Sequence, residues 1–182
     1  YVYGDEVDRW EVDVDNEGDP IELAETRMST FGRNAKAYFS SSPTLTGASR
    51  IDDLVTESDQ RHYYVPCPHC HEMQVLEWEN LKYTEDYSKV QYLCCNPECG
   101  CLIDEHHKGE MLAKGEWRAH AEGDGETVGF YLNALYAPLG WVSWLGLAKQ
   151  HDKAKKAQDK GDLEPMQVFY NTRLGLSYKN TE

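Results

Sequence analysis

The pattern of apolar and polar residues in the first 44 positions predicts a strand, a helix and a second strand. Residues 1–6 form an aromatic and β-branched run that ends in two carboxylates, which indicates a buried strand. Asp19 as N-cap, Pro20 at the first helical position and Gly32 as the terminating glycine predict a helix between them. Residues 35–44 alternate and then enter a serine-rich loop. This order predicts a βαβ unit with parallel strands in an α/β sheet.

The remainder of the chain is predicted to contain a β-rich segment followed by a mainly helical segment. Between residues 63 and about 105, short β-rich pieces alternate with cysteine-bearing turns. A short helix at 106–116, a strand at 129–135 and an amphipathic helix at 143–160 are predicted to follow, and one more helical stretch surrounds MQVFYNTRL. We expect Trp141 and Trp144 to anchor the long helix by packing against the rest of the chain.

The charge of the chain is strongly and unevenly negative. The net charge is −14, and ten Asp and Glu residues fall within the first 25 positions against Arg9 alone. This composition argues against a broad surface that clamps a nucleic-acid backbone, because such surfaces need clustered Lys and Arg. Apolar runs stay well short of the roughly 20 residues that span a membrane, so no membrane association is expected.

Six cysteines lie between positions 67 and 101 and none elsewhere. This clustering, with the Cys67-Pro-His-Cys70 spacing, predicts a metal site rather than a disulfide framework. Zinc prefers four sulfur ligands in a tetrahedron, and two facing cysteine turns supply them. We therefore predict a zinc ribbon whose structural Zn²⁺ stabilises a piece too small for its own core.

The second pair of zinc ligands is less clear from the sequence than the first. Cys99 is the firmest candidate, because Gly100 after it permits the positive φ of a cysteine turn. Cys94 is predicted as its partner, which gives the ligand set Cys67, Cys70, Cys94 and Cys99. Cys95 is the rival of Cys94, and Cys101 could replace either.

The end of the first predicted strand carries residues suited to phosphate chemistry. Asp5 is placed to reach Mg²⁺ through a water, and Glu6 to polarise a water that attacks a γ-phosphate. In motor ATPases a neighbouring parallel strand ends in Ser or Thr residues that sense this phosphate. Ser41 and Ser42 stand at the expected separation, so the two segments predict a nucleotide site at one sheet edge.

Several stretches, collinear over almost the whole chain, resemble the large terminase subunit of tailed phages, of the lambda-like type that packages DNA into proheads. They are YGDEVDRW, ETRMSTFG, SSSPT, SDQRHYYVPCPHC, YLC and CG with LIDE, KGEML with GEW, GFYLNALYAP with SW, and VFYNTRLG. The resemblance implies an ASCE-type (RecA-like P-loop) ATPase driven by Mg²⁺ and ATP, and a separate metal-dependent endonuclease. It makes Asp5 the Walker B aspartate, Glu6 the catalytic glutamate and Ser41–Ser42 the coupling motif.

The resemblance also implies an organisation into three parts. Residues 1–62 would be the C-terminal half of the motor domain, and residues 63–105 the zinc ribbon. Residues 106–182 would be the rest of the motor and a helical linker toward a nuclease. We expect the chain to be a fragment that lacks the phosphate-binding loop and the nuclease, and that neither hydrolyses ATP nor cuts DNA by itself.

The partners implied by the resemblance are double-stranded DNA, the small terminase subunit, the portal of the prohead and further copies of the chain. The expected location is the cytoplasm of an infected bacterial host, or of a host that carries the prophage. The alternative is a stand-alone zinc-ribbon module that docks a protein or DNA and has no nucleotide role. A Gly-rich GK[ST] loop encoded about a hundred residues upstream would distinguish the motor from the module.

Overall fold

The computed structural model describes residues 1–179, and its first unit is a strand–helix–strand motif. Strand β1 (Val2–Asp5) is followed by helix α1 (Pro20–Met28) and strand β2 (Ala37–Ser40). The two strands pair in parallel, in a register that places Asp5 opposite Ser40. The predicted parallel βαβ unit is therefore confirmed, and so is the predicted helix start, because the Asp19 side chain accepts the first free backbone amides of α1.

Two details of this unit differ from the sequence-based expectation. β1 is largely exposed: Tyr3 is 77% exposed and Tyr1, which precedes the strand, is 80% exposed, although Gly4 is buried. Within residues 1–179 its sheet has two strands. Helix α1 ends at Met28, before the predicted Gly32, and the chain continues as a 3₁₀ segment over Ser29–Asn34. Phe31, which lies in this 3₁₀ segment, is 64% exposed.

Helix α2 (Arg50–Glu57) leads into two β-sheets. In chain order their strands are β3 (Arg61–Pro66), β4 (Met73–Val75), β5 (Leu81–Tyr83), β6 (Val90–Leu93), β7 (Leu102–Asp104), β8 (Glu116–Ala119) and β9 (Phe130–Tyr131). Strand β3 is central in the first sheet, where it pairs antiparallel with β4 and β8 and parallel with the short β9. The second sheet is an antiparallel meander of β5, β6 and β7.

Strand β9 is much shorter than the strand predicted over 129–135. The Asn133 side chain accepts a hydrogen bond from the Leu135 amide at 3.0 Å and caps a 3₁₀ turn over Ala134–Tyr136. This local side-chain bond competes with continued strand pairing.

Three helices complete the described part of the chain. They are α3 (Lys108–Ala113), α4 (Trp144–Gln158) and α5 (Glu164–Phe169), the last of which continues as a π-helical turn through Leu174. α4 packs on α5 and on the meander. No helix in residues 1–179 is long and apolar enough to cross a membrane.

A single buried core joins the sheets to the C-terminal helices. Val65 of β3, Tyr92 of β6 and Trp144 of α4 belong to the same apolar cluster, which extends to Tyr178. The core therefore crosses position 105, the predicted end of the ribbon. Trp144 is fully buried as expected of an anchor, whereas Trp141 is 81% exposed and anchors nothing within residues 1–179.

Candidate nucleotide and metal sites

The carboxyl ends of β1 and β2 bring acidic and hydroxyl side chains together. Ser40 Oγ donates a 2.7 Å hydrogen bond to Asp5 Oδ1, which directly reflects the pairing of the two residues across the sheet. The carboxyl ends of parallel strands are the edge at which α/β sheets bind their ligands. Asp5 therefore stands at the expected edge, but its partner is Ser40 and not one of the two serines singled out from the sequence.

Glu6 follows β1 in a left-handed backbone conformation, with φ 52° and ψ 46°. Its Oε1 atom lies 3.4 Å from Ser42 Oγ, and its Oε2 atom lies 3.8 Å from Arg9 Nε. A non-glycine residue in this conformation is uncommon and is often found where a side chain is held for function. The turn places the Glu6 carboxylate next to the serine loop.

Ser41 has a different role in the geometry of this edge. Its hydroxyl accepts the backbone amide of Asp8 at 3.1 Å and donates to the carbonyl of Ser42 at 2.9 Å. Asp8 in turn accepts from Thr44 Oγ1 and from the Ile51 amide. Ser41 thus fixes the loop after β2 to the loop after β1.

Two residues of this edge were missed by the sequence analysis. Asp8 accepts the Ile51 amide in the first turn of α2, and Arg50 donates to the carbonyls of Val7, Trp10 and Glu11. Asp8 follows Asp5 and Glu6 closely in the stretch YGDEVDRW, and this spacing was a usable signal. The role of Arg50 could not be predicted from the sequence, because its partners are backbone carbonyls 39 or more residues away. Every residue has a backbone carbonyl, so residue type does not mark these partners.

The cysteine turns have the expected backbone. In the first turn, the Cys67 amide donates to Glu72 O and the His71 amide donates to Cys67 O. His71 has a positive φ of 63°, where a glycine would be less strained. In the second turn, Gly100 has the predicted positive φ, 54°, and its amide donates to Asn96 O.

The sulfur atoms of four cysteines converge between the two turns. Cys67, Cys94, Cys99 and Cys101 have Sγ atoms that all lie within 4.8 Å of one another. Cys70 is outside this group, although its sulfur is 3.7 Å from that of Cys94. The structure therefore joins three of the four predicted ligands with Cys101, which the sequence analysis had kept as a replacement.

This sulfur group fits a tetrahedral zinc ion. A tetrahedron with Zn–S bonds of about 2.3 Å has edges of about 3.8 Å, and the Cys67–Cys101 sulfur distance is 3.6 Å. Burial raises the pKa of the Cys101 thiol to about 12 and also raises the pKa of the Cys94 thiol. The pKa of the Cys99 thiol is lowered by hydrogen bonds, of which the one from the Cys101 amide has the largest effect. Coordination would replace these thiol protons with the ion.

Cys95, the rival of Cys94, does not join the sulfur group. Its side chain is exposed, and its amide donates to Gln74 Oε1 at 2.9 Å, which turns the chain so that Cys94 faces inward.

Comparison with known proteins shows which family the chain belongs to. Residues 1–117 match the family model of the phage terminase large subunit gpA, ATPase domain. The chain belongs to the phage terminase large subunit family. A second match, to the terminase large subunit gpA, endonuclease domain, covers residues 127–182. The sequence analysis had placed these residues in a motor and linker region that leads to an absent nuclease, whereas they match the endonuclease-domain model itself.

A similar protein is the large terminase subunit of Enterobacteria phage P21. The two are 26% identical over 203 aligned positions, which cover 96% of this chain and 29% of the relative. The chain thus spans less than a third of the length of the curated relative that it matches. No solved structure matches it significantly.

Both candidate sites of this terminase chain lie within the segment that matches the ATPase domain. The acidic edge with Asp5 and Glu6, the serine loop and all six cysteines precede residue 117. Helices α4 and α5 lie within the segment that matches the endonuclease domain.

Proposed function

We propose that this chain is part of the large subunit of a viral DNA-packaging terminase, an ATP-driven DNA translocase and endonuclease. The observation that carries the proposal is the parallel pairing of β1 and β2, which places Asp5 and Glu6 beside the serine loop within a segment that matches a terminase ATPase domain. Both family matches describe enzymatic domains, which favours this function over a stand-alone zinc-ribbon module.

Asp5 and Glu6 have separate roles in this proposal. Asp5 is the Walker B aspartate and would hold Mg²⁺ with ATP, an ion that neutralises charge on the phosphates. The Ser40 hydroxyl fixes one carboxylate oxygen of Asp5 and leaves the other available. Glu6 is the catalytic residue: its exposed carboxylate orients the attacking water and accepts its proton.

Ser41 and Ser42 form the coupling motif. Ser42 contacts the Glu6 carboxylate, so a change in the charge or position of Glu6 alters the serine loop. Ser41 links the same loop to the Asp8 amide, and the Asp8 carboxylate accepts the Ile51 amide in the first turn of α2. This chain of hydrogen bonds is a route by which phosphate release reaches α2 and the sheet beyond it.

The sulfur centre has a structural role. It joins the turn after β3 to the turn between β6 and β7, which belong to different sheets. Four sulfur ligands leave no position for a water, which a catalytic zinc requires. We assign Zn²⁺ to this centre as a cross-link between the two sheets.

The partners proposed for the intact protein follow from the packaging function. They are double-stranded DNA, the small terminase subunit, the portal of the prohead and other copies of the large subunit, in the cytoplasm of the bacterial host. The 182 residues contain no GxxxxGK[ST] motif, so this polypeptide alone should not hydrolyse ATP.

The proposal is tested by Glu6→Gln in a full-length large subunit that carries these residues. Loss of the general base should lower kcat for ATP hydrolysis by about 100-fold or more, with ATP affinity within about threefold of the wild type. Glu17→Gln, in the same acidic segment, is the matched control and should hydrolyse ATP normally. Wild-type turnover by Glu6→Gln would refute the assignment.

The coupling motif is tested separately with Ser42→Ala in the same full-length protein. ATP hydrolysis should persist, while the DNA length translocated per ATP falls. Parallel loss of both activities would show that Ser42 belongs to the hydrolytic site and not to the coupling step.

A further inference from the structure

We propose that the metal centre has three fixed ligands and a fourth position shared by two interchangeable cysteines, Cys70 and Cys101. The fixed ligands are Cys67, Cys94 and Cys99. The inference rests on the metal centre proposed above and specifies how its ligands are used.

Five sulfurs, not four, converge on this centre. Cys101 belongs to the group of four with mutual distances within 4.8 Å, and its sulfur is 3.6 Å from that of Cys67. Cys70 lies just outside this group, with its sulfur 3.7 Å from that of Cys94. Each of the two cysteines therefore has its sulfur in contact with one fixed ligand: Cys101 with Cys67, and Cys70 with Cys94.

Both contacts have the length of a ligand–ligand edge. A tetrahedral ZnS₄ centre has sulfur–sulfur edges of about 3.8 Å, close to the 3.6 Å and 3.7 Å observed for Cys101 and Cys70. One ion cannot hold five thiolates in a tetrahedron. The geometry therefore presents two overlapping ligand sets that share Cys67, Cys94 and Cys99.

The surroundings of the two cysteines allow one to replace the other. Cys70 is exposed, so its side chain can rotate toward the group without displacing core residues. Cys101 lies directly after Gly100 and is partly buried, and its carbonyl accepts the Cys94 amide at 3.0 Å. That backbone bond holds the second turn closed whether or not the Cys101 sulfur binds the ion.

The shared position has a consequence for the stability of the centre. Loss of either Cys70 or Cys101, by mutation or by chemical modification of its thiol, leaves four sulfurs for the ion. Loss of any fixed ligand leaves a set that needs Cys70 and Cys101 together, although Cys70 lies outside the sulfur group that contains Cys101.

The experiment uses the full 182-residue chain, refolded with Co²⁺ as a spectroscopic probe and with Zn²⁺ for stoichiometry. The single variants Cys70→Ser and Cys101→Ser should each bind one metal ion and keep the visible absorption of a tetrathiolate Co²⁺ site. The double variant should lose that absorption and bind Zn²⁺ at least tenfold more weakly. Cys94→Ser should behave like the double variant, and Cys95→Ser, adjacent but exposed, is the matched control with wild-type behaviour.

The outcomes separate this inference from the metal centre itself. If one of the two single variants loses the tetrathiolate spectrum, that cysteine is the dedicated fourth ligand and the shared position is refuted. If both lose it, or if the double variant keeps it, the shared position is also refuted. If the wild type binds no Zn²⁺ or Co²⁺, the proposed metal centre fails, whereas the nucleotide site of Asp5 and Glu6 is untouched by that result.

Discussion

Lys108 donates a 2.7 Å hydrogen bond from its fully buried ammonium group to Glu105 Oε1. The same carboxylate oxygen accepts the backbone amide of Trp144 at 2.9 Å, at the start of α4. Lys108 also lies 5.5 Å from the centre of the Trp144 ring. Through Glu105 and Lys108, the segment that matches the ATPase domain contacts Trp144 in the segment that matches the endonuclease domain.

Glu105→Gln should therefore lower the free energy of unfolding by about 3 kcal/mol, because it leaves the buried charge of Lys108 without its counter-ion. Urea titration followed by tryptophan fluorescence measures the effect. The double variant with Lys108→Met should regain stability, since the unpaired charge is then gone. Glu110→Gln is the control: its ion pair with Lys114 is solvent-exposed, so its loss should change stability very little.

The two neighbouring tryptophans should differ sharply on truncation. Trp144→Ala removes a fully buried ring and its hydrogen bond to Leu135 O, which should cost about 3–5 kcal/mol. Trp141→Ala removes an exposed ring and should cost less than about 0.5 kcal/mol. Equal effects in thermal unfolding would contradict the placement of these residues.

Removal of the metal should destabilise the region between the two cysteine turns. Chelation of Zn²⁺ from the chain should lower the melting temperature by about 10 °C or more, since the binding energy of a structural zinc contributes directly to folding. Circular dichroism before and after chelation measures the loss, and restored Zn²⁺ should reverse it. An unchanged melting temperature would show that the sulfur group is not a structural centre.

His62 should make the fold sensitive to mild acid. Burial, together with the neighbouring His120 at 4.3 Å, lowers the pKa of His62 below its ordinary value of 6.5. The folded state therefore binds this proton less readily than the unfolded state. Stability should fall as pH decreases from about 6.5 toward the lowered folded pKa, and it should stop falling below that value.

The slope of unfolding free energy against pH between 7.5 and 5.5 tests this expectation. His62→Phe keeps a ring against His120 and Tyr131 and should flatten the slope. A variant as pH-dependent as the wild type would assign the effect to another group.

The sequence of this terminase chain correctly predicted several local backbone features. Asp19 caps α1 and Gly100 adopts the left-handed turn as predicted, because each depends on neighbouring backbone groups alone. The parallel pairing of β1 with β2 also followed from the strand–helix–strand order. These features need no knowledge of distant contacts.

Only the tertiary structure decided which distant groups meet. It placed Cys101 in the sulfur group, and it bound Arg50 to the loop after β1. It also buried Trp144 while leaving Trp141 in solvent. Each outcome depends on how residues tens of positions apart pack together. The spacing of residues along the chain does not determine that packing.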